Sequence, residues 1–344
     1  MRIDIRSKFI EQFPSIAKQI DENVEYAFLD ENENLGKNII FLTLGGGYAY
    51  GTDIETSDID IRGISLNTKK ELLLCRDHEQ TVNDTTDTTI YTTKKILQLL
   101  STCNPNVIEM LGSTERNALY IDLLFDKFIL NNKNLFITKN AFFTFGGYAR
   151  AQLNRLNNKL GRVNDEAERE NIMRSIKNTC VHIKERYDLD LDEDMLFSQS
   201  AQGFKCIIKD LSKENMASCL NEIASVFKDY AKLGQRNKSA IERNKLNKHA
   251  MHLIRLFLMC IDILEKGEVI TYREKDHDLL MSIRNNENNK WIQNDSLTEY
   301  AEKYVNKLEN DMKRAFEESK IPDKPDRKSL ENLQIEINEY ILSN

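Results

Sequence analysis

The apolar and polar positions of this 344-residue chain follow two periods, one near its start and another through most of its length. Residues 39–44 are a continuous apolar run of β-prone side chains, and residues 57–61 alternate acidic and apolar side chains, which is typical of strands. From residue 139 onward, apolar side chains recur every three or four positions, which predicts helices. The clearest predicted helix covers residues 246–264, with Gly267 as its C-cap.

Two residues are predicted to start short helices in the first third of the chain. Thr68 is a suitable N-cap, and Asn104 is another because Pro105, whose fixed φ suits the first helical position, follows it. Glu109 falls on the second of these helices. We interpret Glu109 as an acid favoured by the helix dipole rather than as a catalytic group.

A glycine-rich turn, residues 45–51, separates the apolar run from the alternating segment. The period of two places Asp58 and Asp60 on one face of the predicted strand. Neighbouring carboxylates disfavour each other's ionisation unless a cation lies between them. Mg²⁺ takes such oxygen ligands together with substrate phosphates, and glycines let backbone N–H groups approach phosphates closely. The segment therefore predicts a metal–nucleotide site.

Five motifs follow one another along the chain in a characteristic order. They are Gly46-Gly47-Tyr48-Ala49-Tyr50-Gly51, Ser57-Asp58-Ile59-Asp60-Ile61-Arg62-Gly63, Asn104-Pro105-Asn106-Val107-Ile108-Glu109, Gly147-Tyr148-Ala149-Arg150-Ala151-Gln152 and Lys248-His249-Ala250-Met251-His252-Leu253-Ile254-Arg255. Through them the chain resembles the nucleotidyltransferase superfamily typified by DNA polymerase beta. It resembles more closely the predicted nucleotidyltransferase family associated with RNA repair. One departure is Gly47, which replaces a family serine whose hydroxyl would contact nucleotide phosphates.

The resemblance implies an α+β fold with two parts. Residues 1–134 would form the nucleotidyltransferase core, a mixed sheet flanked by helices, and a polar break at 131–134 marks its predicted edge. Residues 135–344 would form a mainly α-helical domain that completes the cleft. The superfamily also needs a third carboxylate on a neighbouring strand. The order of motifs assigns this role to Asp87, with Asp84 as the alternative, although a simple turn aspartate fits Asp87 equally well.

The resemblance also implies the residues of the site. Asp58, Asp60 and Asp87 are the predicted catalytic and metal-binding residues, and they would hold Mg²⁺, or Mn²⁺ as the alternative ion. The predicted nucleotide-binding residues are Gly46, Gly47, Ser57, Arg62, Lys248, His252 and Arg255.

Several of these side chains have a plainer interpretation. Ser57 would otherwise shape the turn, and Arg62 would pair with the aspartates. Three- and four-residue steps along the predicted helix form a basic stripe of Lys245, Lys248, His252 and Arg255. This stripe would otherwise be a solvated helix face. For Tyr148 we favour core packing over a role in the cleft.

The composition is ordinary for a soluble globular protein, with 40% apolar and 30% charged residues. A net charge of −7 does not favour a general nucleic-acid coat protein and leaves room for a local basic patch. The six cysteines are scattered, which suits a reducing compartment. With neither a signal-like stretch nor an apolar run of about 20 residues, we expect a cytoplasmic protein without a membrane partner.

These patterns predict an enzyme that moves a nucleoside monophosphate from a nucleoside triphosphate (NTP) to an acceptor hydroxyl. By resemblance the acceptor is an RNA end, such as that of a tRNA under repair. One alternative is transfer of AMP to a protein hydroxyl. Another is a non-catalytic module that binds a nucleotide or a partner protein, and Gly47 is its best support. The sequence leaves open the preferred NTP and the oligomeric state.

Overall fold

The structure is a computed structural model. It describes residues 4–76, 78–113, 115–160, 190–191, 206–207, 219, 221, 224, 243–293 and 296–344. The chain consists of two compact units. The first comprises residues 1–154, 247–292 and 298–344, and the second comprises residues 155–246 and 293–297. The site treated below lies within the first unit. The predicted domain boundary at residue 134 stays a prediction.

Five strands form the main sheet, and they confirm the predicted α+β fold with a mixed sheet and a helical C-terminal region. The strands are β1 (Ile39–Leu44), β2 (Ile61–Ser65), β3 (Gln80–Asn83), β4 (Thr88–Thr92) and β5 (Ala118–Ile121). Their order across the sheet is β3-β4-β2-β1-β5. Only the β2–β4 pair is parallel among these neighbours, and the other pairs are antiparallel.

Thirteen α-helices occur in the part of the chain that the structure describes. They are α1 (Ser7–Gln12), α2 (Pro14–Glu22), α3 (Phe28–Glu31), α4 (Gly46–Tyr50), α5 (Lys69–Leu73), α6 (Thr93–Ser101), α7 (Pro105–Ile108), α8 (Leu123–Phe128), α9 (Asn140–Leu160), α10 (Arg243–Lys266), α11 (His277–Arg284), α12 (Glu299–Glu318) and α13 (Arg327–Ser343). Short 3₁₀ helices cover Val24–Tyr26, Gly36–Asn38, Glu109–Gly112, Leu130–Leu135, Glu274–Asp276 and Glu287–Asn289. Two-residue strands lie at Asp190–Leu191, Cys206–Ile207, Ile292–Gln293 and Ser296–Leu297.

The interior strand β1 is buried at all six positions, as its apolar run predicts. Its side chains share a core with α1, α2 and the neighbouring strands, where Phe9, Leu42, Ile61 and Ile90 are at most 1% exposed. Burial of such side chains contributes about 1.5–3 kcal/mol each relative to exposure. This core fixes the sheet edge on which the site is built.

The predicted helix starts and stops agree with the structure. Thr68 forms a capping box with Glu71, and the Asn104 side chain accepts a hydrogen bond from the N–H of Asn106 at 3.0 Å. Gly267 follows α10 in the left-handed conformation, with a φ of 65°. None of the helices among the described residues has the length and apolar character that crossing a membrane requires.

The strand predicted at residues 57–61 is wrong in its extent, because β2 begins only at Ile61. Its partner strand β1 ends at Leu44, which pairs with Ile61. Beyond Leu44 the chain turns into α4. The residues before Ile61 therefore have no continuing strand to pair with. One further bond, from the N–H of Gly45 to the carbonyl of Asp60 at 2.6 Å, ties the two segments together. Asp58 and Asp60 therefore lie in the segment that leads into β2.

Candidate active site

The two parallel strands bring Asp60 and Asp87 to the same edge of the sheet. Ile61 pairs with Thr88 at the first residues of β2 and β4, and each aspartate directly precedes one of these residues. The N–H of Ile61 donates to the carbonyl of Asp87 at 3.1 Å, which extends the pairing to this edge. Asp87 belongs to the turn between β3 and β4, with a φ of 45°. It is thus a turn aspartate that also lies beside the second motif.

Arg62 connects these two aspartates. Its Nη1 atom is 2.5 Å from Oδ1 of Asp60 and 3.6 Å from Oδ1 of Asp87. The same atom donates to the carbonyls of Asp87 at 3.0 Å and Ile61 at 3.1 Å. The Arg62 and Asp60 side chains are 20% and 19% exposed, whereas that of Asp87 is 62% exposed. Arg62 therefore makes the pairing that was one of its two predicted roles.

Burial dominates the electrostatics of Asp60. The pKa of this carboxyl is raised to about 6, and burial is the largest cause. The charge of Arg62 lowers the pKa, as does that of Lys248, whereas the charges of Asp87 and Asp58 raise it. Oδ1 of Asp60 is buried and makes no hydrogen bond to any described residue, since its contact with Arg62 lacks hydrogen-bond geometry. A buried carboxylate oxygen without such a bond is costly. The edge thus contains an oxygen that favours a cation.

Asp58 is exposed and lies two residues before Asp60. Its negative charge raises the pKa of Asp60 and that of the Tyr48 hydroxyl. The pKa of Tyr48 is raised most by burial, then by Asp53 and then by Asp58. Within the described ranges, no three or more His, Cys, Asp or Glu side chains are arranged to hold a metal ion. The structure brings the aspartates to one region, and the predicted three-carboxylate metal site stays a prediction.

The glycine turn lies against Asp60. A Cβ atom at Gly45 or at Gly46 would be 3.2 Å from the Asp60 carboxyl group, and Gly46 also has a φ of 54°. Glycine at these positions therefore lets the carboxylate approach the backbone of the turn. A Cβ at Gly47 would lie 3.2 Å from Cα of Asp53, so this glycine also has a packing role. Ser57 is used within its own turn, where Oγ accepts from the N–H of Ile54 at 2.8 Å.

Among the side chains that the structure describes, the basic stripe on α10 is solvated only in part. Lys248 is exposed, His252 is partly buried, and Arg255 is only 6% exposed. Nη2 of Arg255 contacts Nδ1 of His252 at 3.0 Å, and its guanidinium carbon lies 3.3 Å from the centroid of the Tyr50 ring. Burial lowers the pKa of His252 to about 4, and the nearby charges of Lys248, His249 and Arg284 act in the same direction. His252 is therefore neutral at pH 7 and accepts the hydrogen bond from Arg255.

Glu109 completes this buried group, a role that our interpretation of the sequence missed. It begins the 3₁₀ helix after α7, and Oε2 of its carboxyl group accepts a hydrogen bond from the Tyr50 hydroxyl. Nη1 of Arg255 is 3.9 Å from Oε2 of Glu109. Burial raises the pKa of Glu109 to about 8. Burial lowers the pKa of Arg255 to about 9, and the charge of Arg273 acts in the same direction. The only signal in the sequence was that Tyr50, Glu109 and Arg255 each belong to a motif.

The fourth motif, on α9, contacts the fifth motif, on α10. Oε1 of Gln152 is 3.3 Å from Nδ1 of His249. Tyr148, one turn earlier on α9, is 38% exposed, so the core packing expected for it is wrong. Its hydroxyl influences Tyr91, whose pKa is raised mainly by burial and which also lies within the electrostatic range of Arg62 and Asp60. The five motifs thus converge around the glycine turn and Asp60.

One comparison with known proteins gives a match. Residues 14–181 match the model of a protein family, RlaP, described as the RNA repair pathway DNA polymerase beta family. This match confirms the resemblance that the motifs indicate. Four of the five motifs lie within the matched range, and the fifth, residues 248–255, lies beyond it. No curated protein and no solved structure matches the chain.

Proposed function

We propose that this chain, whose residues 14–181 carry the match to the RNA repair pathway DNA polymerase beta family, is a nucleotidyltransferase. It transfers a nucleoside monophosphate from an NTP to the hydroxyl of an RNA end. The observation that supports this most is the placement of Asp60 and Asp87 at one sheet edge beside the glycine turn. The positive charge of Lys248 also acts on Asp60, so a helix and the sheet both contribute charged groups there.

The residues present fit the divalent ion that the family implies. Mg²⁺ and Mn²⁺ prefer carboxylate oxygens, and Mg²⁺ is commonly held by one or two carboxylates together with substrate phosphates. Oδ1 of Asp60 is buried without a hydrogen bond to the described part of the chain, which suits such a ligand. Asp58, Asp60 and Asp87 would hold the ion. When bound, it supplies positive charge to the attacking and leaving oxygens.

The chain's own groups bind and orient the triphosphate. The N–H groups of Gly46 and Gly47 face the β- and γ-phosphates, and Lys248 adds a positive charge on the same side. The acceptor oxygen bonds to the α-phosphorus and releases its proton to solvent water, while the bond from that phosphorus to the bridging oxygen breaks. Pyrophosphate leaves with the electron pair. Arg255 acts indirectly, because it holds Tyr50 at the end of the glycine helix α4.

The acceptor is recognised locally rather than by overall charge. With a net charge of −7, the chain has no general attraction for the phosphate backbone of RNA. RNA binding would therefore depend on positive side chains near the site, such as Lys248. This predicts recognition of an RNA end rather than of long duplex stretches.

Incubation of the purified protein with labelled NTPs, Mg²⁺ and either RNA or protein tests the proposal. We expect label on RNA, and loss of at least about a hundredfold in rate for Asp60→Asn and Asp87→Asn. Asp84→Asn is the matched comparison, because Asp84 is an exposed aspartate of the same turn and the alternative third carboxylate. A larger loss of rate for Asp84→Asn than for Asp87→Asn would assign that role to Asp84. Label on protein would favour AMP transfer to a protein hydroxyl. Label on neither acceptor, with nucleotide still bound, would favour the non-catalytic module.

A further inference from the structure

Arg62 occupies an unusual position between the carboxylates of the candidate site. We infer that Arg62 is an internal counter-ion that holds the place of the divalent metal until the metal and the triphosphate bind together. Arg62 then exchanges its carboxylate partners for phosphate oxygens. This inference rests on the proposed function, because it concerns the same site.

One nitrogen atom of Arg62 faces four oxygens. Nη1 lies within 3.6 Å of the Oδ1 atoms of Asp60 and Asp87 and of the carbonyl oxygens of Ile61 and Asp87. A guanidinium Nη carries only two N–H donors, so it cannot satisfy four acceptors. Oδ1 of Asp60 accordingly has no regular hydrogen bond to the described residues. Several oxygens around one centre are an arrangement that suits a metal ion better than an N–H group.

The charges explain why the Arg62 guanidinium and the metal ion would not pair with Asp60 and Asp87 at the same time. Asp60 is about four-fifths buried, and a buried carboxylate without a counter-charge is costly. Arg62 provides that counter-charge when no metal is bound. A divalent ion placed between Asp60 and Asp87 would be repelled by Arg62 at this short range. Metal alone therefore competes with Arg62.

The triphosphate changes this balance. It brings several negative charges and many acceptor oxygens to the same edge, and a guanidinium pairs well with phosphate in a bidentate manner. Arg62 can then leave the carboxylates without losing a partner. We expect metal and nucleotide to bind with positive cooperativity, and Arg62 to be the source of that cooperativity.

Direct Mn²⁺ binding, measured by electron paramagnetic resonance on the full chain, tests this without any turnover. Arg62→Gln keeps a donor for the carbonyl of Asp87 and removes the charge, whereas Arg62→Lys keeps the charge. Without nucleotide, we expect Arg62→Gln to bind Mn²⁺ about tenfold more tightly than the wild type, and Arg62→Lys to remain near the wild type. Addition of a non-hydrolysable NTP analogue should tighten Mn²⁺ binding in the wild type and much less in Arg62→Gln.

The possible outcomes separate this inference from the proposed function. Equal or weaker Mn²⁺ binding by Arg62→Gln, with a metal site still present in the wild type, would overturn the exchange alone. If neither the wild type nor Arg62→Gln binds Mn²⁺, with or without the analogue, the proposed metal site and the proposed function are both wrong. The exchange of Arg62 is then wrong as well. Circular dichroism melting of each variant shows whether the protein is folded. If Arg62→Gln is not folded, Mn²⁺ binding by Arg62→Lys without nucleotide decides. Since this variant keeps the positive charge, binding about tenfold tighter than that of the wild type would overturn the inference.

Discussion

The guanidinium carbon of Arg255 lies 3.3 Å from the centroid of the Tyr50 ring, and both side chains are buried. This contact joins the last motif of the chain to the first. The Tyr50 hydroxyl in turn donates to Glu109, which belongs to the third motif. The backbone carbonyl of Tyr50 also accepts from the N–H of Arg273 at 3.1 Å. The end of the glycine helix α4 is therefore held from three sides.

Replacing Arg255 by Met is expected to lower the free energy of unfolding by about 2 kcal/mol. The change removes a desolvated cation–π contact of about 2 kcal/mol and a charged hydrogen bond to His252 of about 1.5–3 kcal/mol. A partial offset comes from the loss of Nε and Nη1 of Arg255, which are buried and make no hydrogen bond within the described ranges. Urea denaturation at pH 7 measures the difference.

Arg314→Met is the matched control for that measurement. Arg314 is 60% exposed and pairs with Asp311 one helical turn away at 3.1 Å. Exposed pairs of this kind contribute less than about 1 kcal/mol. If Arg255→Met were as stable as the wild type or more stable, the desolvation of the guanidinium would outweigh its contacts, and Arg255 would not stabilise the turn.

The buried His252 is expected to make stability depend on acid pH. Its folded pKa of about 4 is below the ordinary value of 6.5, so the neutral form is favoured in the folded state. This contribution is fully present above pH 6.5 and is lost as the pH falls through 4, by up to about 3 kcal/mol. His252→Asn retains an acceptor for Arg255 and does not titrate. The stability advantage of the wild type over His252→Asn should therefore shrink between pH 6.5 and 4, as followed by urea denaturation.

Comparison with the variant isolates His252 from Glu109, which acts in the opposite direction. The pKa of Glu109 is raised to about 8, so its contribution is fully present below 4.5 and is lost as the pH rises through 8. Both proteins contain Glu109, and its effect cancels in the difference. A difference that stays constant from pH 7 to 4 would contradict a buried, neutral His252.

Local signals in the sequence predict several of the helices and strands. The features that these signals miss depend on contacts between residues distant in sequence. The apolar run at 39–44, the cap at Asn104 and the long helix around residues 246–264 depend on neighbouring residues, and all three occur. The period-two pattern predicts a strand at Asp60, because this pattern continues past the point where β1 ends. Nothing in the local pattern shows where a partner strand stops.

The same limit applies to Arg255. Helical spacing places it on one stripe with Lys248, which is exposed, and yet Arg255 is buried. Its burial depends on Tyr50 and Glu109, more than 140 residues earlier in the chain. Only the order of the motifs connected these residues, and it did so without indicating their geometry. For Glu109, the local sequence therefore indicates only a position near the start of a helix.

Gly51→Ala is expected to destabilise the protein by about 2–5 kcal/mol. Gly51 has a φ of 72°, which costs an L residue about 1–2 kcal/mol. The added Cβ would also lie 2.5 Å from the ring of Tyr272, which must move. Such overpacking costs about 1–3 kcal/mol. Thermal melting at pH 7 measures the effect.

Gly147→Ala provides the control of opposite sign. Gly147 lies inside α9, and an added Cβ would meet no atom of the described residues within 4 Å. Alanine in a helix interior is more stable than glycine by about 0.5–1 kcal/mol. We therefore expect Gly147→Ala to raise the melting temperature. Equal melting of Gly51→Ala and the wild type would show that the turn adjusts freely.

Restoring a serine at position 47 tests whether the glycine turn binds phosphate. A Cβ there lies 3.2 Å from Cα of Asp53, and the adjacent Thr52 is held by two hydrogen bonds, to Gly47 at 2.9 Å and from Arg284 at 2.5 Å. Because this backbone cannot move freely, we expect Gly47→Ser and Gly47→Ala to lose about 1 kcal/mol of stability each. The two variants share the steric change and differ only in the hydroxyl.

Nucleotide affinity then separates the hydroxyl from the steric effect. If the turn faces the phosphates, Gly47→Ser should bind Mg²⁺–NTP more tightly than Gly47→Ala by about 3- to 10-fold, the value of one hydrogen bond. Isothermal titration calorimetry with a non-hydrolysable analogue measures both affinities. The same comparison at Gly147, with Gly147→Ser and Gly147→Ala, should give no difference in affinity. Equal affinities of the two position-47 variants would mean that this turn does not contact the phosphates, because a hydroxyl added at the contact would then have bound one of their oxygens.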